Sequence, residues 1–554
     1  MRLRYFHLQG HPPLQDIDIP FGQENVLKRK LALRFVVGVN GTGKTRLLQA
    51  LAEVFVSLAR GRRPLPFPVT LAYDLGLEQP RTIFLHYPGE AHSNTKLIEF
   101  AEPLPTDVDW SFLENQSWES ESEGLYKTRN RFLNGELPGI GGIAPFLPDP
   151  LLVYTSGYTA SWEAIFAQPN VESIFDPSRL EIQDEAQIER PAGWTISQEM
   201  EYQRQQGKPF TANGYQPGIE SVQQILIAGH QIKIAACAVA FSQAINEWTN
   251  SQADERLSKL LSEVGWKEPV SLSLRLSFPN SLRSEEAAKL HDLFLLASSV
   301  IRAPEPDNSR HLTFDLRRPS PDNLEFMTIQ AGQPRLIIQA LFEVLGGENS
   351  SSYEVFRTLN LWQKNEILQE IEVTFCHQIV EDLMRFDWLS DGERMFFGRI
   401  AIFFLLQKQE DALLILDEPE THFNDTWKRR LIDIIDDAMK DLSNEVVIST
   451  HSSITLTDVF SQEIHLLKKE DGVTVLGSIT TPTFGADPSE IMVNVFDAPD
   501  SIGKRALEYL DQLLEREWRV EDINELEYLI RHIGPGYHRS ELRTIWRQLR
   551  APSP

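Results

Sequence analysis

Two adjacent carboxylates, Asp417 and Glu418, end the apolar run Ala412-Leu413-Leu414-Ile415-Leu416 and are the best-placed chemical groups in this 554-residue chain. One carboxylate to hold a divalent cation and a second to polarise water are what hydrolysis of a phosphoanhydride needs. Far upstream, Gly38-Val39-Asn40-Gly41-Thr42-Gly43-Lys44-Thr45 follows the mostly apolar run Leu33 to Val37. Two glycines with four residues between them, then Lys and Thr, fit the pattern of a phosphate-binding loop. Such glycines let successive N–H groups face a di- or triphosphate, and the following helix turns its positive end toward the same anion. Asn40, Gly41 and Gly43 would line that cradle, Lys44 would neutralise the β- and γ-phosphates, and the Thr45 hydroxyl would ligate Mg²⁺.

Asp417 is then expected to hold Mg²⁺ through water and Glu418 to act as general base. A second apolar run, Glu445-Val446-Val447-Ile448-Ser449, leads to Thr450-His451-Ser452 and puts His451 just past a strand end, where it can sense a γ-phosphate. Leu389-Ser390-Asp391-Gly392-Glu393 precedes a helix starting near Arg394. By itself it is a capping box, Ser390 capping and Glu393 three residues on.

These groups require elements to hold them. Leu33 to Val37 and Ala412 to Leu416 read as strands buried on both faces, with ligands expected at their carboxyl ends. Leu47, Leu48, Leu51, Val54 and Phe55 form the apolar stripe of a helix behind the loop. Leu151-Leu152-Val153 reads as a strand ending in the polar turn Tyr154-Thr155-Ser156-Gly157. Met1 to Phe6 reads as a short strand.

At 42% hydrophobic and 24% charged the composition is that of a soluble globular protein of two to four domains. With no apolar run of about 18 residues and no signal-peptide pattern, a cytoplasmic location is expected by default, with no membrane contact. The net charge of −26 disfavours a nucleic-acid contact over the whole surface and confines one to a local patch or a partner. Lys28-Arg29-Lys30, Arg60-Gly61-Arg62-Arg63 and Lys428-Arg429-Arg430 are short and read as solvated turns or helix faces. The acidic stretch from Glu102 to Glu123 reads as a solvated loop, and Cys237 and Cys376 as small buried hydrophobes.

Taken in order, Gly38 to Thr45, Leu389 to Glu393, Leu416 to Glu420 and Ser449 to Ser452 resemble the ATPase head of ATP-binding-cassette proteins, in the RecF, SMC and OLD branch. The resemblance implies an α/β P-loop fold binding ATP and Mg²⁺. It also implies a signature motif, Leu389, Ser390, Gly392 and Glu393, that completes the ATP site of another subunit in a head-to-tail dimer. Asp417 to Asn424, Tyr154 to Gly157, Thr483 to Ala486, Ser489 to Ile491 and Ser501 to Gly503 are similar to the antiphage ATPases of the PtuA type found in Septu systems and retrons. That likeness implies an effector nuclease partner, of HNH type, or a retron reverse transcriptase with its nucleic acid. No glutamine marks a Q-loop, for which the Tyr154 to Gly157 turn is the positional substitute, and the Ala-Leu-Asp ending of a D-loop is missing.

The expected organisation is an N-terminal head part over 1–165, a mainly helical insertion over 166–385, the rest of the head over 386–485 and a helical region over 486–554 that can bind a partner. Helical patterns run from Ile219 to Trp248, Ser284 to Ile301, Pro334 to Leu345, Ser501 to Trp518 and Glu521 to Ile533. Val270 to Phe278 and His311 to Leu316 read as strands. Two other functions fit parts of the text: a RecF-like repair ATPase contacting duplex DNA directly, and an OLD-like ATPase-nuclease. The region after His451 has scattered acids, including Glu470, Asp471, Asp497 and Asp500, but lacks the Asp-x-Asp pair that the second requires.

Overall fold

In the computed structural model the central sheet has seven strands, in the order Val473–Gly477, Ile464–Glu470, Ala32–Val37, Glu445–Thr450, Leu413–Asp417, Leu151–Thr155 and Gln224–Ile227. All neighbours are parallel except the edge hairpin made by the first two. The four strands from Ala32–Val37 to Leu151–Thr155 are buried along their whole length, which is why their sequences are continuous rather than alternating. The structure describes residues 1–550 apart from 23–26, 28, 62–63, 77, 90–94, 117, 119–125, 134–136, 168–222, 250–252, 280–281, 304–308, 319–326, 331–332, 348–350 and 499–501, with the backbone alone at 140–141, 327–330 and 333–335.

A second, antiparallel sheet has the order Leu14–Pro20, Arg2–His11, Val69–Leu75, Arg81–Tyr87, Lys96–Phe100 and Thr128–Phe132. The helix Lys44–Ala59 joins the two sheets. Its Leu47, Leu51, Val54 and Leu58 share one apolar core with Phe6, Leu71 and Leu85 of the second sheet and with Val153, Ile415 and Val447 of the first. A helix covered on nearly all sides must be apolar on nearly all sides, as this one is. The fold is thus α/β, with the phosphate-binding loop between a buried parallel strand and a helix as expected from the sequence.

The described part of 166–385 carries the helices Gly229–Trp248, Glu255–Glu263, Ser284–Leu296, Ile337–Gly346 and Ser352–Lys364. It also carries a five-stranded antiparallel sheet, ordered Ser299–Arg302, Arg310–Asp315, Trp266–Leu276, Leu368–His377 and Leu383–Arg385. Leu368–His377 was legible in principle, since Ile371, Val373 and Phe375 alternate inward. The helix expected from Ile219 begins only at Gly229. Before it, Gln224–Ile227 is a short apolar run that local pattern cannot assign, and pairing with Leu151–Thr155 makes it the last strand of the central sheet. Residues 219–222 of that expected helix lie outside the described residues. Likewise Ser284 to Ile301 is a helix followed by a strand, and Pro334 to Leu345 begins in the strand Gln333–Leu336.

The chain divides into two compact units, Met1–Phe484 and Gly485–Pro554. The second is built from Pro488–Asn494, Lys504–Glu515, Ile523–His532 and Tyr537–Arg550, with Leu513, Trp518, Leu526, Ile530 and Leu542 in its core. Among the described residues no helix is long and apolar enough to cross a membrane.

Candidate nucleotide site

The phosphate-binding loop leaves the buried strand Ala32–Val37 at Gly38 and enters the helix at Lys44. Gly38 has φ +151 and a Cβ there would meet the Leu467 carbonyl oxygen at 2.4 Å, so only glycine fits between loop and neighbouring strand. Gly41 and Gly43 have φ +83 and +93, in the left-handed region. Gly43 supplies no side-chain cap to the helix, and its first turn carries no acidic residue. The first-turn N–H groups and the loop amides therefore form a cationic cradle of the kind a polyphosphate occupies. Lys44 Nζ donates to the carbonyls of Gly38 at 2.9 Å and Val39 at 3.5 Å, which holds the ammonium over the loop. Burial lowers its pKa, and the charges of Glu418, Asp417 and Glu420 oppose that effect.

Asp417 stands in register with Ser449 on one side and Thr155 on the other. Its carboxylate accepts from Thr45 Oγ1 at 3.0 and 3.1 Å, from Ser449 Oγ at 2.6 Å and from Thr155 Oγ1 at 3.3 Å. Burial still raises its pKa, more than these hydrogen bonds lower it. A buried carboxylate ringed by hydroxyls suits a hard divalent cation, whose remaining ligands would be phosphate and water oxygens. The Thr45 and Asp417 oxygens are the residues present that fit Mg²⁺.

Glu418 follows at φ +52, its amide donating to the Ser449 carbonyl at 3.1 Å and Oγ at 3.0 Å. That turn aims its carboxylate at His451, whose Nδ1 is 3.2 Å from Glu418 Oε1. The contact with His451 holds Glu418 below the usual carboxylate range, and Glu418 in return raises His451. Lys44, Thr45, Asp417, Glu418 and His451, separated by up to 407 positions in sequence, thus face one another at the carboxyl edge of the sheet.

Two residues of this region escaped the sequence reading. Glu420 is 2% exposed and accepts from Thr450 Oγ1 through one oxygen, while the other has no hydrogen-bond partner. Burial raises its pKa. Arg399, on the helix Asp391–Leu405, is 1% exposed. Its Nε donates to Tyr154 Oη at 2.9 Å and Nη1 to the Thr421 carbonyl at 2.6 Å, with the guanidinium over the Phe423 ring at 4.6 Å. It joins the helix behind Ser390 to Tyr154 near the end of the strand Leu151–Thr155 and to the turn at Thr421. An arginine within a helical apolar run is the only signal the sequence offered.

Ser390 forms the capping box with Glu393: Glu393 N donates to Ser390 Oγ at 3.3 Å and Ser390 N to Glu393 Oε2 at 2.9 Å. The helix starts at Asp391, three residues before Arg394. Gly392 packs near His422 and Trp427, and among the described residues no hydrogen bond joins Leu389, Ser390, Gly392 or Glu393 to Lys44. Asn424 caps the next helix by accepting from Trp427 N. Asn40 and Gly41 are exposed at the loop surface.

Two surface readings need correction. Arg29 is buried, paired with Asp436 at 3.0 Å and Glu463 at 2.5 Å, because it pins the start of the Ala32–Val37 strand to the opposite end of the chain. Arg430 pairs with Glu263 at 2.7 Å. Lys28, Arg62 and Arg63 lie outside the described residues. Within the acidic stretch, Trp110–Asn115 is a helix whose Trp110 stacks on Tyr5 and whose Glu114 accepts from Thr70 Oγ1 at 2.6 Å. Glu119, Glu121 and Glu123 lie outside the described residues. Cys237 is buried, its thiol pushed up to about 12, whereas Cys376 is half-buried.

Fold and site together define an α/β protein of the P-loop class, its phosphate-binding loop and paired carboxylates meeting at the carboxyl edge of a mainly parallel sheet. A family described as "AAA domain, putative AbiEii toxin, Type IV TA system" matches residues 257–458, which hold Ser390, Asp417, Glu418 and His451 but not the loop at Lys44. No curated protein matches the chain. Among solved structures, the SmcHead bound to the C-winged helix domain of ScpA is 12% identical, with a TM-score of 0.34 over 86% of this chain and 98% of that one. An Smc head domain with an extended coiled coil, bound to the C-terminal domain of ScpA derived from Pyrococcus furiosus, is 11% identical, with a TM-score of 0.32 over 86% and 96%. The SMC head domain from Thermotoga maritima is 11% identical, with a TM-score of 0.29 over 87% and 100%.

Proposed function

We propose that this protein binds and hydrolyses ATP, and that Ser390 and Gly392 of one chain complete the site around Lys44 of another in a head-to-tail dimer. The observation that carries this reading is the convergence of Lys44, Thr45, Asp417, Glu418 and His451 on one sheet edge. Mg²⁺, held by Thr45 and Asp417, would neutralise charge on the phosphates. The loop amides and Lys44 bind and orient the triphosphate. Glu418, kept ionised by His451, accepts the proton of the attacking water, and His451 stands where it can donate to a γ-phosphate oxygen. The roles of Asn40, Gly41, Gly43, Leu389 and Glu393 as lining or cap of the cradle belong to the same reading.

In its finer form the reading is of an ATPase subunit of a bacterial antiphage complex, located in the cytoplasm, whose dimer closure controls an effector nuclease. It rests on the phrasing around Asp417 to Asn424 and on the toxin named in the matching family's description. The domain limits at 165, 385 and 485 remain part of this reading.

The test is ATP turnover with Mg²⁺ by purified wild type, Lys44→Ala and Glu418→Gln, with mass measured by light scattering. Wild type should hydrolyse ATP, Lys44→Ala should neither bind nor hydrolyse it, and Glu418→Gln should bind ATP, accumulate as a dimer and turn over about 10²–10⁴-fold more slowly. Unchanged turnover in Glu418→Gln would remove the assigned chemistry.

A further inference from the structure

The last helix of the second unit, Tyr537–Arg550, carries four arginines and one glutamate in a chain that is otherwise strongly acidic. Arg539, Arg543, Arg547 and Arg550 recur at intervals of four, four and three residues. At 3.6 residues per turn they fall within roughly an 80° arc and form a row about 16 Å long. Arg543, Arg547 and Arg550 are exposed and Arg539 is half-buried. The ion pairs described in this unit use other residues: Lys504 with Glu508, Arg516 with Asp522 and Glu525, Arg531 with Glu527 and, on this helix itself, His538 with Asp511. Among the described residues no carboxylate pairs with any of the four, and Arg539 Nε is buried with no hydrogen-bond partner.

The adjoining face of the same helix, centred roughly 110° round from the row, is consumed by the unit's own core, where Leu542, Ile545, Trp546 and Leu549 pack with Leu526 and Ile530. Between the arginines the exposed positions are polar, including Ser540, Thr544 and Gln548. The row thus offers regularly spaced cations and no freely exposed apolar anchor: the ring beside it, Trp546, is packed against the unit's core and covered by the Arg550 guanidinium at 4.8 Å. An acidic protein partner would be expected to use such an anchor, because most interface energy comes from a few buried aromatic or apolar residues. A phosphodiester backbone needs none: it repeats its charge at short, regular intervals, and guanidinium groups bind it bidentately.

We propose that the Arg539–Arg550 row is a nucleic-acid backbone-binding surface. It positions duplex or single-stranded nucleic acid without reading its sequence, and it acts independently of the nucleotide site. A local patch of this kind is the one form of nucleic-acid contact that a net charge of −26 leaves open.

The experiment is fluorescence anisotropy of the full chain with a labelled 20-bp DNA duplex and a 20-nucleotide single strand, from 20 to 200 mM salt. Arg543→Gln/Arg547→Gln is the variant, and Lys504→Gln, a cation outside the row, is the control. Four phosphate contacts give a slope of log K on log salt near −3.6 for duplex, and the double variant should lose about two units of slope and roughly fifty-fold in affinity at 0.1 M salt. Circular dichroism should show both variants folded, and Lys44→Ala should bind nucleic acid like wild type, which separates this surface from the ATPase reading. Absence of binding to either probe at 20 mM salt would overturn the proposal. So would an unchanged slope in the double variant, or capture of a polyglutamate peptide in preference to both nucleic acids.

Discussion

Glu418 and His451 set the pH behaviour of the site. Glu418 has a depressed pKa, so its share of the pair's stability is present above its ordinary value near 4.5 and is lost as pH falls through the lowered value. His451 has a raised pKa, so its share is complete below its ordinary value near 6.5 and is lost as pH rises through the raised one. The ion pair is therefore whole between those two ordinary values and weakens on either side. An NMR titration of the His451 ring should give a midpoint above that of an exposed histidine, returning toward the ordinary value in Glu418→Gln. An unmoved midpoint would mean the contact at 3.2 Å does not form in solution. At Tyr154 the prediction concerns stability. Tyr154→Phe removes the acceptor for the buried Arg399 Nε and should cost about 1.5–3 kcal/mol in denaturant unfolding, the range for a hydrogen bond to a charged group.

Among the elements, the helix Asp391–Leu405 has the tightest fit. A Cβ at Gly398 would lie 1.7 Å from Ile232 Cγ2 on the helix Gly229–Trp248, so the Ile232 side chain packs directly on the Gly398 backbone and leaves room only for hydrogen. Gly398→Ala should therefore destabilise by about 1–3 kcal/mol through overpacking, despite alanine's better helix propensity. Adding Ile232→Ala should cost less than the sum of the two single changes, since it vacates the space the new methyl needs. Equilibrium unfolding of the four proteins in the cycle measures this, and simple additivity would mean the helices have moved apart.

The same helix shows where sequence text informs and where it stops. Ser390 and Glu393 are readable because a capping box is a local pattern, Lys44 because the glycine loop before it is one too, and Asp417 and His451 because each closes a run that must be a buried strand. Arg399 and Glu420 are not, because what they do depends on partners brought in from other strands, Tyr154 and Thr450. The strand Gln224–Ile227 was missed for a related reason: three apolar residues behind a glutamine acquire a type only from the strand they pair with.

For the whole molecule, the ATPase reading predicts that nucleotide and self-association are linked. If Ser390 meets the phosphates bound at Lys44 of a second chain, Ser390→Asn, which retains a good helix cap, should leave the melting temperature within a few degrees of wild type while abolishing ATP-dependent dimerisation. Light scattering with Glu418→Gln as the parent reads the dimer, and a dimer that survives the change would place the contact elsewhere.

The strand Ala32–Val37 lies between Glu445–Thr450 and Ile464–Glu470, so both of its neighbours come from the far end of the chain. During synthesis it emerges about 400 residues before either of them, a delay of roughly 20–80 s at ordinary elongation rates. For that interval the nascent protein holds an apolar strand with two open edges, a template for pairing with the wrong chain. Yield in cells should accordingly depend on chaperone supply more than the final stability of the fold would indicate. A fragment ending before Glu445 should be recovered in aggregates, however well its second sheet folds.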